Sequence, residues 1–150
     1  MTTTRAPVSR QELQSAAQAF CNAFAAKQPL DRLLDYFSSS EIPFAYEHGL
    51  PILPFTGSKY EGTDGIRKYF ETIASLLSYE NMSFSDYIVD AEVLKVSVRG
   101  QARFTWSSTS TSWQETFTYS LRFDQNLKVV TYEVWADPLA AYLASKGEAP

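Results

Sequence analysis

The chain has 150 residues, which fits one domain built around a single hydrophobic core. Its 13 Lys and Arg against 17 Asp and Glu give a formal net charge of −4, and the basic residues form no run that could follow a phosphate backbone. We therefore expect no nucleic-acid partner. Aromatic residues make up 15% of the chain, and this much bulky apolar surface can line a cavity as well as fill a core.

Several classes of site are excluded by what the sequence lacks. Cys21 is the only cysteine and His48 the only histidine, so an intramolecular disulfide and sites with several cysteines or histidines around a metal are ruled out. The sequence also has no Gly-rich nucleotide fingerprint and no G-x-S-x-G motif. It begins with polar residues and contains no run of about 18 apolar residues, which predicts a cytoplasmic protein with no membrane partner.

Helical periodicity predicts three helices before the main run of strands. The first is predicted over residues 9–27, where a serine three residues before a glutamate forms a capping box. A shorter helix is predicted with Asp31 as its cap, and a third begins at Thr63 or Asp64. Asp137 stands before a proline, as an N-cap does before the first helical residue, so we expect it to cap a C-terminal helix.

The second half of the chain changes to the period of two that is typical of strands. Alternation places the apolar residues of the last two strands on one face if Tyr119 lies opposite Tyr132, and this is the register we predict. Across the preceding hairpin, the predicted inner face comprises Ala102, Phe104, Trp106, Trp113, Glu115 and Phe117. The predicted strands cover residues 44–48, 82–90, 92–106, 113–123 and 127–136.

Three segments carry a resemblance to a known family. Residues 60–70, YEGTDGIRKYF, are similar to the Gly-x-x-x-Ile-x-x-(Tyr/Phe)-Phe start of that family's third helix, residues 122–129 resemble its last hairpin, and residues 135–139 its closing strand. Together with the order of the elements, they make residues 9–143 resemble the nuclear transport factor 2-like superfamily, in its branch of SnoaL-like polyketide cyclases and ketosteroid isomerases. Glu47-His48-Gly49, followed by Pro54-Phe55-x-Gly57, is reminiscent of fungal members in natural-product pathways.

The resemblance implies a fold and a type of chemistry. The fold is α+β, with a cone-shaped curved antiparallel sheet wrapped around three N-terminal helices and a short C-terminal helix. We expect a single domain over residues 9–144, flanked by a flexible N-terminus at 1–8 and a flexible tail at 145–150. The family further implies an apolar pocket for a hydrophobic small molecule, chemistry without a cofactor or metal, and a homodimer. It does not imply one reaction, because the fold carries several.

Glu47 and His48 are the candidate catalytic residues on the first strand. Moving a proton on a carbonyl compound requires a base for the carbon-bound proton and donors for the resulting enolate. Glu47 lies near the position of the family's base, and it is either that base, with a pKa raised by burial, or a rim carboxylate paired with Lys59 or Arg67. His48 either shuttles protons or anchors a loop, and it points in the direction opposite to Glu47.

Tyr119 and Glu115 are the candidate polar partners on the long strand near the end. Tyr119 matches the position of the isomerase's protonated aspartate, a carboxylic acid that stays neutral and thereby donates a hydrogen bond. It either donates to a substrate oxygen or satisfies its hydroxyl within the core. Glu115 interrupts an apolar face, so it either reaches into the cavity or lies at the open end of the sheet. Ala19 stands near the family's tyrosine, so at most half of that oxyanion hole is present.

Aromatic and aliphatic side chains of the same face are expected to form the substrate-binding wall. Glu133 and Trp135 face outward in the predicted register, and an exposed tryptophan there favours a homodimer through the outer sheet face. The predicted wall comprises Tyr36, Tyr46, Trp106, Trp113, Phe117, Tyr132 and Val134.

These residues lead to one functional hypothesis with two alternatives. We expect an acid/base enzyme, an isomerase, cyclase or dehydratase, that acts on a hydrophobic carbonyl-bearing natural-product intermediate. The first alternative is a non-catalytic carrier that uses the same pocket. The second is a scaffold that associates through its sheet face.

Overall fold

The structure, a computed structural model, describes residues 6–150, so most of the predicted N-terminal segment 1–8 lies outside it. Within these residues, four helices and six strands follow one another in separate runs, an α+β arrangement that confirms the predicted fold class. In chain order they are α1 (Arg10–Ala25), α2 (Leu30–Leu34), β1 (Phe44–Glu47), β2 (Lys59–Glu61), α3 (Gly62–Leu76), β3 (Leu77–Asp90), β4 (Lys95–Trp106), β5 (Thr111–Phe123), β6 (Val129–Trp135) and α4 (Pro138–Ser145).

The predicted caps are confirmed at two helices and wrong at one. Ser9 accepts a hydrogen bond from the backbone of Glu12 while the Glu12 carboxylate accepts one from the backbone of Ser9, so α1 starts in a capping box. Asp137 caps α4 by accepting from the backbone of Ala140. Asp31 caps nothing, because α2 already begins at Leu30 and the Asp31 side chain instead pairs with an arginine of α3.

The six strands form one sheet in the order β2-β1-β6-β5-β4-β3. Neighbours run antiparallel except β1 and β6, which are parallel, so the sheet is mixed rather than antiparallel throughout. Strand β2 is absent from the predicted elements, since three residues are too few to show a period of two. The parallel pairing inserts β1 beside β6 and thereby brings Glu47 next to the inner residues of the long hairpins.

The predicted faces are right, although one predicted register is not. Tyr119 lies opposite Val134, and Tyr132 opposite Leu121, so the pairing of the last two strands differs from the prediction by two residues. A shift of two leaves every side chain on its predicted face, because the side-chain period of a strand is two. The hairpin of β4 and β5 is confirmed, with Ala102 opposite Glu115.

The helices cover one face of this sheet and leave the other exposed. Phe20, Phe24 and Phe70 pack around the ring of Tyr132 at centroid distances of 5.6, 5.9 and 5.8 Å, which joins α1 and α3 to β6. On the opposite face, Trp135 remains 46% exposed. Among residues 6–150, no helix has the length and apolar character needed to cross a membrane.

Candidate active site

A cavity of about 110 Å³ lies between the helices and the covered face of the sheet; we call it the inner cavity. Three carboxylates line it, those of Glu47 on β1, Glu115 on β5 and Asp137, the N-cap of α4, and most of the remaining lining is aromatic or aliphatic. Few polar groups in an apolar hollow are typical of a small-molecule site. The wall includes Phe24, Phe55, Phe70, Trp113, Phe117 and Val134.

Glu47 is the most deeply buried acid of the inner cavity, with 8% of its surface exposed. The hydroxyl of Tyr69 on α3 donates a hydrogen bond of 2.7 Å to Glu47 Oε1. Burial raises the pKa of Glu47 to about 7, although the Tyr69 hydrogen bond lowers it and the nearby Glu115 raises it further. At neutral pH this side chain therefore divides between a carboxylate that accepts protons and an acid that donates them.

The strand geometry explains why Glu47 points inward. Alternation along β1 puts Ala45 and Glu47 on the covered face. The alternative of a rim carboxylate is wrong, because Lys59 pairs with Glu61 at 3.1 Å and Arg67 pairs with Asp31 at 2.9 Å. Glu47 consequently has no positive partner among the ion pairs of residues 6–150, and burial is the main cause of its raised pKa.

Glu115 is the second acid of the inner cavity, where the structure places it between Trp113 and Phe117 on β5. The indole Nε1 of Trp113 donates to Glu115 Oε1 at 2.9 Å. Burial raises the pKa of Glu115 to about 7, against the lowering effect of the Trp113 hydrogen bond. Two acids in one apolar cavity favour a state in which one is ionised and the other holds a proton, since their charges repel.

Tyr119 and Tyr132 provide neutral hydroxyls on the same wall. Their rings lie 4.9 Å apart and meet edge to face. Burial raises the pKa of both phenols far above neutrality. Both hydroxyls thus keep their protons at physiological pH, which is the state required of a hydrogen-bond donor to an enolate oxygen.

Tyr69 is the residue of this site that sequence reasoning does not identify. In the sequence it is one member of the apolar stripe of α3, and only 1% of its surface is exposed there. The periodicity of the sequence does not distinguish it, but the hydrogen-bonding requirement of its hydroxyl could have done so. A buried tyrosine needs a partner for its hydroxyl, and Glu47 is an inward-facing acceptor on a neighbouring element.

Two predicted residues lie on the outer face of the sheet instead of in the inner cavity. Tyr46 and His48 alternate with Glu47 and so point away from it. His48 Nε2 lies 3.0 Å from Glu133 Oε1, and its ring stacks on Trp135 with centroids 3.9 Å apart. Tyr46 packs beside that imidazole at 4.5 Å. Their placement corrects the expectation that His48 shuttles protons at the site and that Tyr46 contacts substrate.

Two further residues that were predicted to form the wall do not line the inner cavity. Trp106 is buried opposite Thr111 at the end of the β4–β5 hairpin, beyond the lining of the inner cavity. Tyr36 follows α2 and packs edge-on against Phe20 at 5.9 Å, on the far side of the aromatic cluster. The remaining predicted wall residues all line the inner cavity: Trp113, Phe117, Tyr132 and Val134. Among residues 6–150, no three potential metal ligands of the His, Cys, Asp and Glu types come together.

Comparison with solved structures identifies the architecture. A nuclear transport factor 2-like protein of Burkholderia xenovorans LB400 superposes with a TM-score of 0.72 at 18% identity over 92% of this chain and 98% of its own. TerC, co-crystallised with polyporic acid, gives 0.74 at 16% identity over 89% and 98%. A protein of Jannaschia sp. CCS1 assigned to the SnoaL-like polyketide cyclases gives 0.73 at 11% identity over 99% and 100%.

Sequence comparison gives no second route to a family. No protein-family model and no curated protein matches the sequence. The structural neighbours share less than a fifth of their residues with this chain, so they establish architecture rather than activity. The chain thus has the nuclear transport factor 2-like fold that the resemblance implied, and SnoaL-like proteins are among the solved structures that share it.

Proposed function

We propose that the protein is an acid/base enzyme, an isomerase, cyclase or dehydratase, that acts on a hydrophobic small molecule bearing a carbonyl group. One observation carries the proposal. Glu47 is buried in an apolar cavity and has no cationic partner among residues 6–150, so that its pKa lies near 7, where a carboxyl group exchanges protons most effectively at neutral pH. Glu115, Asp137 and the buried phenols supply further polar groups of the same cavity.

In the proposed reaction, each of these residues has a separate role. The ionised Glu47 removes a proton from the carbon next to the carbonyl, and the electron pair of that C–H bond moves onto the carbonyl oxygen to give an enolate. Tyr119 donates a hydrogen bond to this oxygen. The proton then returns to another carbon of the substrate from Glu47, or from Glu115 in its protonated form. Isomerisation, ring closure and loss of water all begin with this first transfer.

The structural neighbours support the same class of ligand. TerC was crystallised with polyporic acid, and the Jannaschia protein is assigned to the polyketide cyclases. Both names point to small organic molecules rather than to macromolecular partners. A natural-product intermediate is the substrate class that we propose on this basis together with the aromatic lining of the inner cavity.

Deuterium exchange tests the first chemical step without knowledge of the natural substrate. A panel of hydrophobic ketones is incubated with the protein in D₂O, and loss of the α-proton signals is followed by NMR. We expect exchange faster than in buffer alone, and its loss in Glu47→Gln, which keeps the shape and the Tyr69 hydrogen bond but cannot act as a base. Ketones that bind without any exchange would support the alternative of a non-catalytic carrier.

We also propose that the protein forms a homodimer through the outer face of the sheet. The stacked pair of His48 and Trp135 lies there, and Trp135 keeps 46% of its surface exposed. Trp135→Glu is expected to shift the sedimentation coefficient from dimer to monomer, whereas Leu139→Glu, at an exposed position of α4 on the other side of the sheet, is the matched control. A wild-type protein that sediments as a monomer overturns this proposal.

A further inference from the structure

A second cavity of about 390 Å³ lies beside the inner cavity; we call it the lateral cavity. It is formed where the end of α1, the short α2 and the second half of α3 meet the start of β3. None of the carboxylates of the candidate active site lines it. The carboxylate in its own lining, Glu71, is exposed, so the lateral cavity has room for a ligand but no buried acid for the proposed proton transfer.

The two cavities are separated by a single layer of side chains, because five residues line both of them. Part of this shared wall is held in place: the Tyr79 hydroxyl donates to the backbone carbonyl of Phe24 at 2.7 Å, and Phe24 packs against Phe70 at 5.3 Å. Ile73 and Leu77 complete the wall. Their aliphatic side chains have no hydrogen bonds to lose, so they are the part of the wall that can rotate aside at least cost.

The lining of the lateral cavity specifies the chemistry of its occupant. Most of the side chains that line it are apolar, among them Leu30, Leu33 and Ala74. The charged residues Lys27 and Glu71 are exposed, carry opposite signs and stand at the rim. No single charge is therefore favoured, and the cavity fits an uncharged hydrocarbon portion of a ligand.

The sizes of the two cavities make them complementary. At about 110 Å³ the inner cavity is smaller than the roughly 300 to 1,000 Å³ that sites for drug-sized molecules occupy, so it accommodates only the reactive part of such a ligand. We propose that the substrate is elongated, with its carbonyl-bearing head beside Glu47 and Glu115 and an apolar tail that passes Ile73 and Leu77 into the lateral cavity. This inference rests on the proposed function and adds the substrate's shape to it.

A chain-length series measures the tail site directly. The probes are 2-pentanone, 2-octanone and 2-undecanone, and their Kd values are measured by ligand-observed NMR. With wild-type protein we expect the affinity to rise by about fourfold for each methylene that enters the lateral cavity. Ala74→Trp fills this cavity from an exposed position that does not line the inner one. Ser75→Trp, at the next exposed residue of α3 and outside both linings, is the matched control.

The variants separate the outcomes of this experiment. We expect Ala74→Trp to weaken 2-undecanone by about tenfold or more while 2-pentanone stays within about twofold, and Ser75→Trp to change neither. Ile73→Ala, which thins the shared wall, should strengthen 2-undecanone selectively. The inference is overturned if the affinity of the wild type for ketones does not rise with chain length. It is also overturned if the affinity of Ala74→Trp rises with chain length as much as that of the wild type. Exchange of the 2-pentanone α-protons in the same samples tests Glu47 separately, so the two proposals fail independently.

Discussion

The hydroxyl of Tyr69 on α3 donates a 2.7 Å hydrogen bond to the Glu47 carboxylate on β1, and both side chains are buried. The bond links a helix to the strand that it covers, at the point where the candidate base enters the inner cavity. It also favours the charged form of Glu47 and partly offsets the desolvation that raises the pKa of this acid to about 7.

Tyr69→Phe should raise the pKa of Glu47 above its present value of about 7. Only the hydroxyl is removed, so the desolvation stays while the hydrogen bond to the carboxylate is lost. We expect the acid limb of the pH–rate profile for ketone exchange to move upward by about one pH unit, with most activity recovered at high pH.

Tyr60→Phe is the control for this substitution. Its ring also packs against Tyr69, at 5.4 Å, but its hydroxyl donates to the Pro54 carbonyl and not to Glu47. The pH–rate profile of this variant should match the wild type. If Tyr69→Phe lowered the rate equally at every pH, the tyrosine would act on the substrate itself and not through the ionisation of Glu47.

Glu47→Gln should change how stability depends on pH. The folded pKa of about 7 lies above the ordinary value of 4.5, so between these two pH values the folded state holds a proton that the unfolded state has lost. Stability of the wild type accordingly falls as pH rises through this window and levels off above it. The variant has no carboxyl group to ionise at this position, so its free energy of unfolding does not show this fall. Relative to the wild type, its free energy of unfolding should therefore increase by on the order of 2 to 3 kcal/mol between pH 4.5 and pH 8.

Urea unfolding at pH 4.5, 6 and 8 measures this difference. Glu92→Gln, which removes an exposed carboxylate from the turn after β3, is the matched control for the loss of one negative charge. Parallel stability curves for Glu47→Gln and the wild type would mean that Glu47 ionises normally in the folded protein.

Glu115→Gln should move the ionisation of Glu47 in the opposite direction to Tyr69→Phe. The negative charge of Glu115 is one of the causes that raise the pKa of Glu47, so its removal lets Glu47 ionise at lower pH. The acid limb of the exchange profile should shift downward. A downward shift together with a lower maximal rate would also identify Glu115 as the group that returns the proton.

The sequence predicts which side of the sheet each side chain faces, but it does not predict which residues pair across neighbouring strands. Alternation places Glu115, Phe117 and Tyr119 on the covered face correctly, because this face is determined by the local period alone. The pairing of Tyr119 with Val134 instead of Tyr132 depends on the turn between β5 and β6 and on a register irregularity after Arg122. These are tertiary features that the period does not contain.

The candidate site shows the same division. Glu47 is predicted because it lies near the position of the family's base, whereas Tyr69 is not, since a tyrosine in the stripe of an amphipathic helix is ordinary. Tyr46 and His48 enter the predicted site as neighbours of Glu47 in sequence although their alternation points outward. Proximity along a strand is a poor guide to a site, because adjacent residues face opposite sides of the sheet.

Gly100→Ala tests how tightly the sheet side of the inner cavity is packed. Gly100 lies opposite Phe117, and a methyl group at position 100 would overlap with the Phe117 ring. The ring cannot keep its place, so we expect a loss of about 1 to 3 kcal/mol in the free energy of unfolding and weaker binding of ketone probes. Phe117→Leu should restore part of the stability in the double variant, since the smaller side chain vacates the space that the methyl group needs.

The wild type, the two single variants and the double variant form a double-mutant cycle, and we expect a coupling free energy of about 1 kcal/mol or more between positions 100 and 117. Strictly additive effects would show that the ring moves away freely, and that the width of the inner cavity is not set by this glycine.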